Sequence, residues 1–466
     1  MWTGRSPLSN HRCCQGCLEK QRRIDQLEEK VRQLQSKLRY QQRTAKEGPF
    51  GSSTPSSKIP IKPSSLEERQ ARKGGGKPGH IGHGRRALTA IRAEQVQRIE
   101  AASVCPDCGT ALEHRGLRRR TVIESQPIRV EKKILEIEQK QCPACGRRVE
   151  SRPSGVLPRF LYGNQLLTHV AVQHYLYGQT LGQIEKQIGV PYSSLLQALH
   201  GLARRLESVI PTLIAEYRRS RVKHADETGW RTDGRNGYSW LFATLRVSIF
   251  RFRSSRAAAV AREIFGTRRL LGVLVVDRYH AYNKILCKLQ YCFAHLLRNL
   301  KDLLKEFPDN EEILTFVNAV APLLSAAMQV RKMPGSTRQF LQQAAQIKRQ
   351  LLCAMQAPAR HPAIQGFQSL FREKAHRLYH WATNRNIPAD NNLAERDLRP
   401  LVIARKISFG SQSAAGAKTR ETLMTILHSM QKQTPHVATR FKAALDQLAQ
   451  NPTLNLYPVL FPEDSS

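Results

Sequence analysis

The spacing of apolar positions changes several times along this chain, and each change predicts a different kind of element. Cys17, Ile24, Val31 and Leu38 share one heptad position, and Leu27 and Leu34 share the other, with Glu, Lys, Arg and Gln between them. A 3.5-residue period makes a narrow seam that a lone helix cannot bury, which predicts a helix over 17–41 paired with a second helix. The alternative is a single amphipathic helix lying on its own domain. The pattern then lapses in GPFGSSTPSSKIPIKPSS, whose Gly, Ser and Pro predict an unstructured linker. Alternation returns in RRTVIESQPIRV and EKKILEIEQKQ, which read as strands. LGQIEKQIGVPYSSLLQALHGLARRL reads as a helix, a turn at Gly189-Val190-Pro191 and a second helix capped by Ser193 or Ser194. That is a helix-turn-helix pattern.

From residue 220 the period becomes mixed. RVKHADETGW, YSWLFATLR and VSIFRFRS read as three strands, SRAAAVAREIFG as a helix, LGVLVVD as a buried strand, and LQYCFA as a strand running into the helix HLLRNLKDLLKE. Three strands, helix, strand, strand is the order of a ribonuclease-H-like α/β core. In such a core the first and fourth strands are neighbours, which brings Asp226 and Asp277 side by side. The stretch between Asp277 and Glu395 is longer than the core needs, so about 301–380 is expected to be an all-α insertion. The chain therefore reads as multidomain α+β: a coiled-coil helix at 1–41, a basic Gly/Pro/Ser-rich linker at 42–95, a zinc ribbon at 96–152, and a helical helix-turn-helix-like DNA-binding segment at 153–219. The core with its helical insertion follows at 220–410, and a basic loop with helices at 411–466.

Charge narrows the partner. Lys plus Arg number 74 against 37 Asp plus Glu, a formal net charge of +37. Such an excess points to nucleic acid first and an anionic membrane second. Leu270–Val276, the longest clean apolar run, is far shorter than the roughly 20 residues of a spanning helix, and MWTGRSPLSNHRCC has no apolar signal region. A cytoplasmic protein without a membrane partner is expected. Lys73, Lys77, Arg85 and Arg86 lie in or beside KGGGKPGHIGHGRR, a flexible arm suited to phosphate contacts.

Two sets of residues carry candidate chemistry. Cys105–Cys108 and Cys142–Cys145 form two Cys-Pro-x-Cys-Gly knuckles, the spacing that lets paired thiolates share one tetrahedral zinc. Cys13, Cys14 and Cys17 read better as free thiols. The second set is acidic. Asp226 closes RVKHAD, Asp277 closes LLGVLVVD, and Glu395 stands in ADNNLAERDLRP. Two strand-end aspartates and a helical glutamate are how a nuclease-like fold gathers hard oxygen ligands around two Mg²⁺ ions. Each has a rival reading. Glu227 competes with Asp226 but points to the opposite strand face. Asp277 would otherwise only start a turn. Asp390 and Asp397 flank Glu395, which fits a capping box with Asn392.

Those motifs together resemble the bacterial DDE-type transposases of insertion-sequence family sixty-six. The heptad, SSTPSSK, GKPGHIGH, CPDCG with CPACG, HADETGW, GVLVVDRYHAYN, CFAHLLRNL, DNNLAERDLRP and GSQSAAGA occur in that family's order. The resemblance implies Asp226, Asp277 and Glu395 as catalytic metal ligands for two Mg²⁺, with Mn²⁺ as a substitute, and a structural Zn²⁺. His295 and Arg298 match an A-H-x-x-R element beside the site, with Phe293 before it. A homo-oligomer formed through 17–41 would cleave terminal inverted repeats and join 3′ hydroxyl ends to target DNA near the nucleoid, with accessory transposition proteins as candidate partners. The rivals are a non-catalytic DNA-binding regulator and a structure-specific nuclease.

Overall fold

The computed structural model describes residues 152–462 continuously, together with parts of 16–38 and of 107–150. The expected linker, the basic arm with Lys73, Lys77, Arg85 and Arg86, the expected strand at 119–130 except Val130, and Cys13, Cys14, Cys17, Cys105 and Cys142 lie outside the described residues. Residues 19–28 are helical, and Ile24, Leu27, Val31, Leu34 and Leu38 are 47–56% exposed, so the heptad seam lies on the helix surface.

β1 (Gln139–Gln141) and β2 (Arg148–Glu150) pair antiparallel around the second Cys-x-x-Cys, Gln139 opposite Glu150. The strand expected over EKKILEIEQKQ is confined to its last residues. Residues 131–138 have no regular structure, and Ile134 and Leu135 stay exposed, so their alternation faces no described core.

Four helices follow: α1 (Asn164–Ala171), running on as a π turn to Leu176, α2 (Leu181–Ile188), α3 (Tyr192–Leu206) and α4 (Ile210–Arg219). Thr180 and Gln183 make a reciprocal capping box at the start of α2, and Gly189 ends it in the left-handed region at φ 68°. Neither Ser193 nor Ser194 caps α3. Pro191, with φ −54°, occupies the capping position without a side-chain bond, and the helix starts before either serine.

The sheet contains β3 (Val222–Thr232), β4 (Arg235–Ala243), β5 (Ser248–Arg253), β6 (Val273–Val276) and β7 (Lys288–Tyr291), in the order β5-β4-β3-β6-β7. The first three are antiparallel, and β6 and β7 run parallel to β3. Asp233 and Gly234 turn the first hairpin with φ 52° and 69°, the two positive values a two-residue primed turn requires. Gly272 lets β6 enter beside β3, because a Cβ there would meet the Arg221 carbonyl oxygen at 2.1 Å.

One face of the sheet is closed by α5 (Ala258–Phe265) and α4. Tyr217, Phe242 and Phe265 meet edge to face with centroids 5.6–6.0 Å apart. Burying a side chain of this size contributes roughly 1.5–3 kcal/mol. After β7 come α6 (Phe293–Glu306), the helix expected over HLLRNLKDLLKE, then α7 (Glu311–Gln329), α8 (Thr337–Gln356) and α9 (Pro362–Glu373), and then α10 (Asn392–Ser408). Glu311–Lys332 is long and apolar enough to cross a membrane by length and composition. Ile313, Val320 and Leu324 bury its inner face in the common core.

α11 (Ala414–Gln431) and α12 (Val437–Gln450) complete the chain. A basic loop and helices are expected here; α11 is buried along most of its length and seals the sheet. Glu421, Thr425 and Ser429, four residues apart on one helix face, accept from the backbone N–H groups of Phe252, Phe250 and Ser248 at 3.2, 3.0 and 3.0 Å. These are the outward N–H groups of the edge strand β5, which would otherwise be open to pairing. The helices at 164–219, the sheet, the insertion and α11 share one hydrophobic core.

Candidate active site

The strand register sets the first two carboxylates. His224 pairs with Val275 across the parallel strands β3 and β6. Two residues further along each strand stand Asp226 and Asp277, at the same level on chains about 4.8 Å apart. Asp226 Oδ1 accepts from the Glu227 N–H at 2.9 Å, and Asp277 Oδ1 from the Tyr279 N–H at 2.8 Å.

The third carboxylate arrives through Asn391, which no motif in the sequence marks as structural. Its Nδ2 donates to the Ala225 carbonyl at 2.9 Å, its Oδ1 faces His224 Nδ1 at 2.8 Å, and its N–H donates to Cys292 Sγ at 3.1 Å. The start of α10 is thereby pinned beside Asp226, and Glu395 follows one turn later. The capping role considered for Glu395 is not observed: α10 has no side-chain cap, and Glu395 Oε1 is buried without a hydrogen-bond partner.

The three acids feel one another. The Asp226 carboxyl is pushed well above its ordinary range by burial first, then by the charges of Glu227, Asp277 and Glu395. Burial raises Asp277, against the Tyr279 N–H, Arg256 and Arg278. Glu395 is raised by burial, with Asp390 and Asp277 adding to the rise and Arg298 and Arg399 opposing it. His295 and Arg298 stand on α6 beside this cluster. His295 Nδ1 lies 3.8 Å from Glu395 Oε1 and is itself buried without a hydrogen-bond partner. Burial, Arg298 and Arg278 push the imidazole down to about 3, so it is neutral near pH 7 and the contact is not an ion pair.

Glu227, in sequence a rival of Asp226, is a fourth acid at the cluster and is the most buried, at 8% exposure. Arg256 Nη2 and Nε donate to Oε1 at 2.5 and 3.0 Å, and the Tyr282 hydroxyl donates to Oε2 at 2.6 Å. The Arg256 guanidinium stacks 3.9 Å from the Tyr279 ring centroid, and the Tyr279 N–H holds Asp277. Burial and Asp277 push Glu227 up to about 7 despite Arg256 and Tyr282. The Asp-Glu doublet in a strand was the available signal. Asp397 turns elsewhere, to Lys432 Nζ at 2.5 Å and Ser248 Oγ at 2.8 Å, while Asp390 Oδ1 accepts from the Asn392 N–H at 3.1 Å.

Among the described residues no three His, Cys, Asp or Glu side chains form a closed cluster for a metal ion. The acidic site nonetheless has donors that fit a hard dication: three part-buried carboxylates, with Glu395 Oε1 buried and without a hydrogen-bond partner. In the cysteine module, Cys145 is exposed, and Cys108 Sγ donates to Thr110 Oγ1 at 3.3 Å.

A mixed sheet whose parallel strand ends and following helix gather acidic side chains defines a carboxylate-lined α/β site. The family model described as "Transposase IS66 family" matches residues 159–419, more than half of the chain, and the chain belongs to that family. Two proteins of Sinorhizobium fredii (strain NBRC 101917 / NGR234) are similar. Uncharacterized protein y4qI is 26% identical over 325 residues, 59% of this chain and 58% of that protein. Uncharacterized protein y4jD is 26% identical over 196 residues, 38% of this chain and 37% of that protein. The chain thus spans less than two thirds of these relatives' lengths.

Proposed function

We propose that this protein is a DNA transposase that cleaves insertion-sequence ends and joins their 3′ hydroxyls to target DNA. The observation that carries the reading is the convergence of Asp226, Asp277 and Glu395 from β3, the end of β6 and α10, with Glu395 Oε1 buried and unpartnered. The sheet order, with β3 central and flanked by antiparallel β4 and parallel β6, supports a ribonuclease-H-like core.

In this reading the three carboxylates hold two Mg²⁺ ions, or Mn²⁺ as a substitute, which supply Lewis-acid activation and charge neutralisation for phosphoryl transfer. The chain's own residues do the rest. Asn391 fixes the origin of α10 against β3. Glu227, Arg256 and Tyr279 hold Asp277 in orientation. Arg298 and Arg399 offer positive charge to the phosphates, and neutral His295 packs beside Glu395 without competing for its charge. Water cuts the element's end, and the freed 3′ hydroxyl attacks a target phosphodiester in line, with no covalent bond to the protein.

The remaining parts have proposed roles of their own. Residues 153–219 and the basic arm hold the terminal inverted repeats. The half-exposed seam from Ile24 to Leu38 pairs two chains, and so two ends, which sedimentation of a Leu27→Asp variant as a monomer would support. Cys105, Cys108, Cys142 and Cys145 bind about one structural zinc per chain, a claim that metal analysis finding none would remove.

The direct test uses labelled, pre-cut element ends with Mg²⁺ and target DNA. Wild-type protein should join them, and Asp277→Asn should bind ends yet neither cut nor join, because Asn keeps the shape and loses the charge. Cutting without joining would indicate a nuclease, and binding without either a regulator.

A further inference from the structure

α10 ends in a conformation its own residue disfavours. Phe409, the first residue past the helix, has φ 58° and ψ −1°, and its N–H donates to the Arg405 carbonyl at 2.8 Å. That left-handed position is ordinarily taken by glycine or asparagine, and a bulky side chain there is an outlier that costs free energy. Burial does not offset the cost, because Phe409 is 72% exposed. A glycine is available one residue later, but it is used for contact: at Gly410, φ 140°, a Cβ would lie 2.2 Å from the Arg231 carbonyl oxygen.

The corner that presents the ring is firmly built. Ser411 N–H donates to Arg231 O, Asp233 N–H to Ser411 O, both at 2.9 Å, and Trp230 Nε1 to Ser411 Oγ at 3.1 Å. The surroundings are cationic, with Arg231, Arg235 and Lys406 exposed. Arg396, Arg399 and Lys406 form an exposed cationic row along α10, with Ile403 and Ile407, each 49% exposed, beside it. It leads from the level of Glu395 to Phe409, about 21 Å at the helical rise.

An exposed aromatic on a firmly bonded corner at the end of a row of cations is a good fit to a stacked base, whose phosphates those cations would meet. We propose that Phe409 is a stacking post for an unpaired nucleobase of the DNA strand led along α10 away from the carboxylates. The inference rests on the reading of the chain as a DNA-acting protein and adds a contact that this reading does not require.

The test uses the full chain and two probes, a blunt duplex and the same duplex with a short single-stranded 3′ tail carrying 2-aminopurine. Wild-type protein should bind the tailed probe about tenfold more tightly than the blunt one, with a change in 2-aminopurine emission that reports stacking. Phe409→Gly should lose that tail-dependent gain and the emission change, and Phe409→Trp should retain both. Thermal stability of Phe409→Gly should equal or exceed wild type, since glycine suits the backbone. An unchanged tail preference and emission in Phe409→Gly would overturn the post while leaving DNA binding intact. A fall in its melting temperature would make Phe409 structural, and a change only in oligomeric state would make it a contact between copies; either overturns the inference. Wild-type binding to neither probe would overturn the underlying reading as well.

Discussion

Glu421 and Glu395 are both acids turned into the fold from long helices, and their surroundings differ sharply. Glu421, 2% exposed, meets Arg251 Nη1 and Arg253 Nη1 at 2.9 Å each and accepts from the Phe252 N–H. Glu395 has one oxygen with no partner, a neutral histidine at 3.8 Å and two further acids acting on it. Two residues on, Asp397 behaves like Glu421, held by Lys432 and Ser248. A buried carboxylate that is fully satisfied closes the sheet edge. One left unsatisfied beside two others has surplus charge available to a ligand, at a cost in stability.

The comparison breaks most visibly at Glu421. Glu421→Ala should strand Arg251, 8% exposed at its side chain, and lower stability by about 3–5 kcal/mol. Urea unfolding measures the loss, and a drop below about 1 kcal/mol would show that the pair holds nothing together. Asp397→Asn should lower stability by about 1–3 kcal/mol through the Lys432 contact and retain most strand-transfer activity, because this side chain is engaged by Lys432 and Ser248. Loss of activity in a folded Asp397→Asn protein would place it in the site instead.

The effect at Asp226 is smaller and opposite in sign. A carboxyl whose folded pKa is raised binds its proton more tightly in the native state than in the unfolded chain. Stability is then lost as pH rises from the ordinary value of 3.8 through the raised value. Asp226→Asn removes that loss. In chelator-treated protein it should melt a few degrees above wild type near pH 7, about 1 kcal/mol in a chain of this size, with the gap closing below about pH 4. It should also be inactive. Melting below wild type near pH 7 would show that the buried charge is already neutralised by the fold.

Much of this site was legible because periodicity and register are local. The apolar run before Asp277 and the alternation around Asp226 predicted two strands, and the parallel register then brought both acids level. Glu395 was legible as a residue but ambiguous as a role, since Asn392 and Glu395 also fit a capping box. The capping alternative fails at Asn391, whose side chain bonds to β3 rather than to its own helix. The partners of Glu227, Arg256 and Tyr282, lie 29 and 55 residues away, and no spacing announces them. Nor did the basic composition of 411–431 reveal that Glu421, Thr425 and Ser429 would serve an edge strand whose N–H groups have no sequence signature.

The most direct test of the account is strand transfer by Glu395→Gln, measured beside its thermal stability. Gln keeps the shape of the side chain and discards the charge that a hard cation requires. Because burial, Asp390 and Asp277 raise the Glu395 carboxyl, the neutral amide should fold at least as stably as wild type near pH 7. The predicted result is therefore a normally folded protein that still binds ends and joins none. A normally folded Glu395→Gln protein that joins ends as wild type does would contradict the three-carboxylate site.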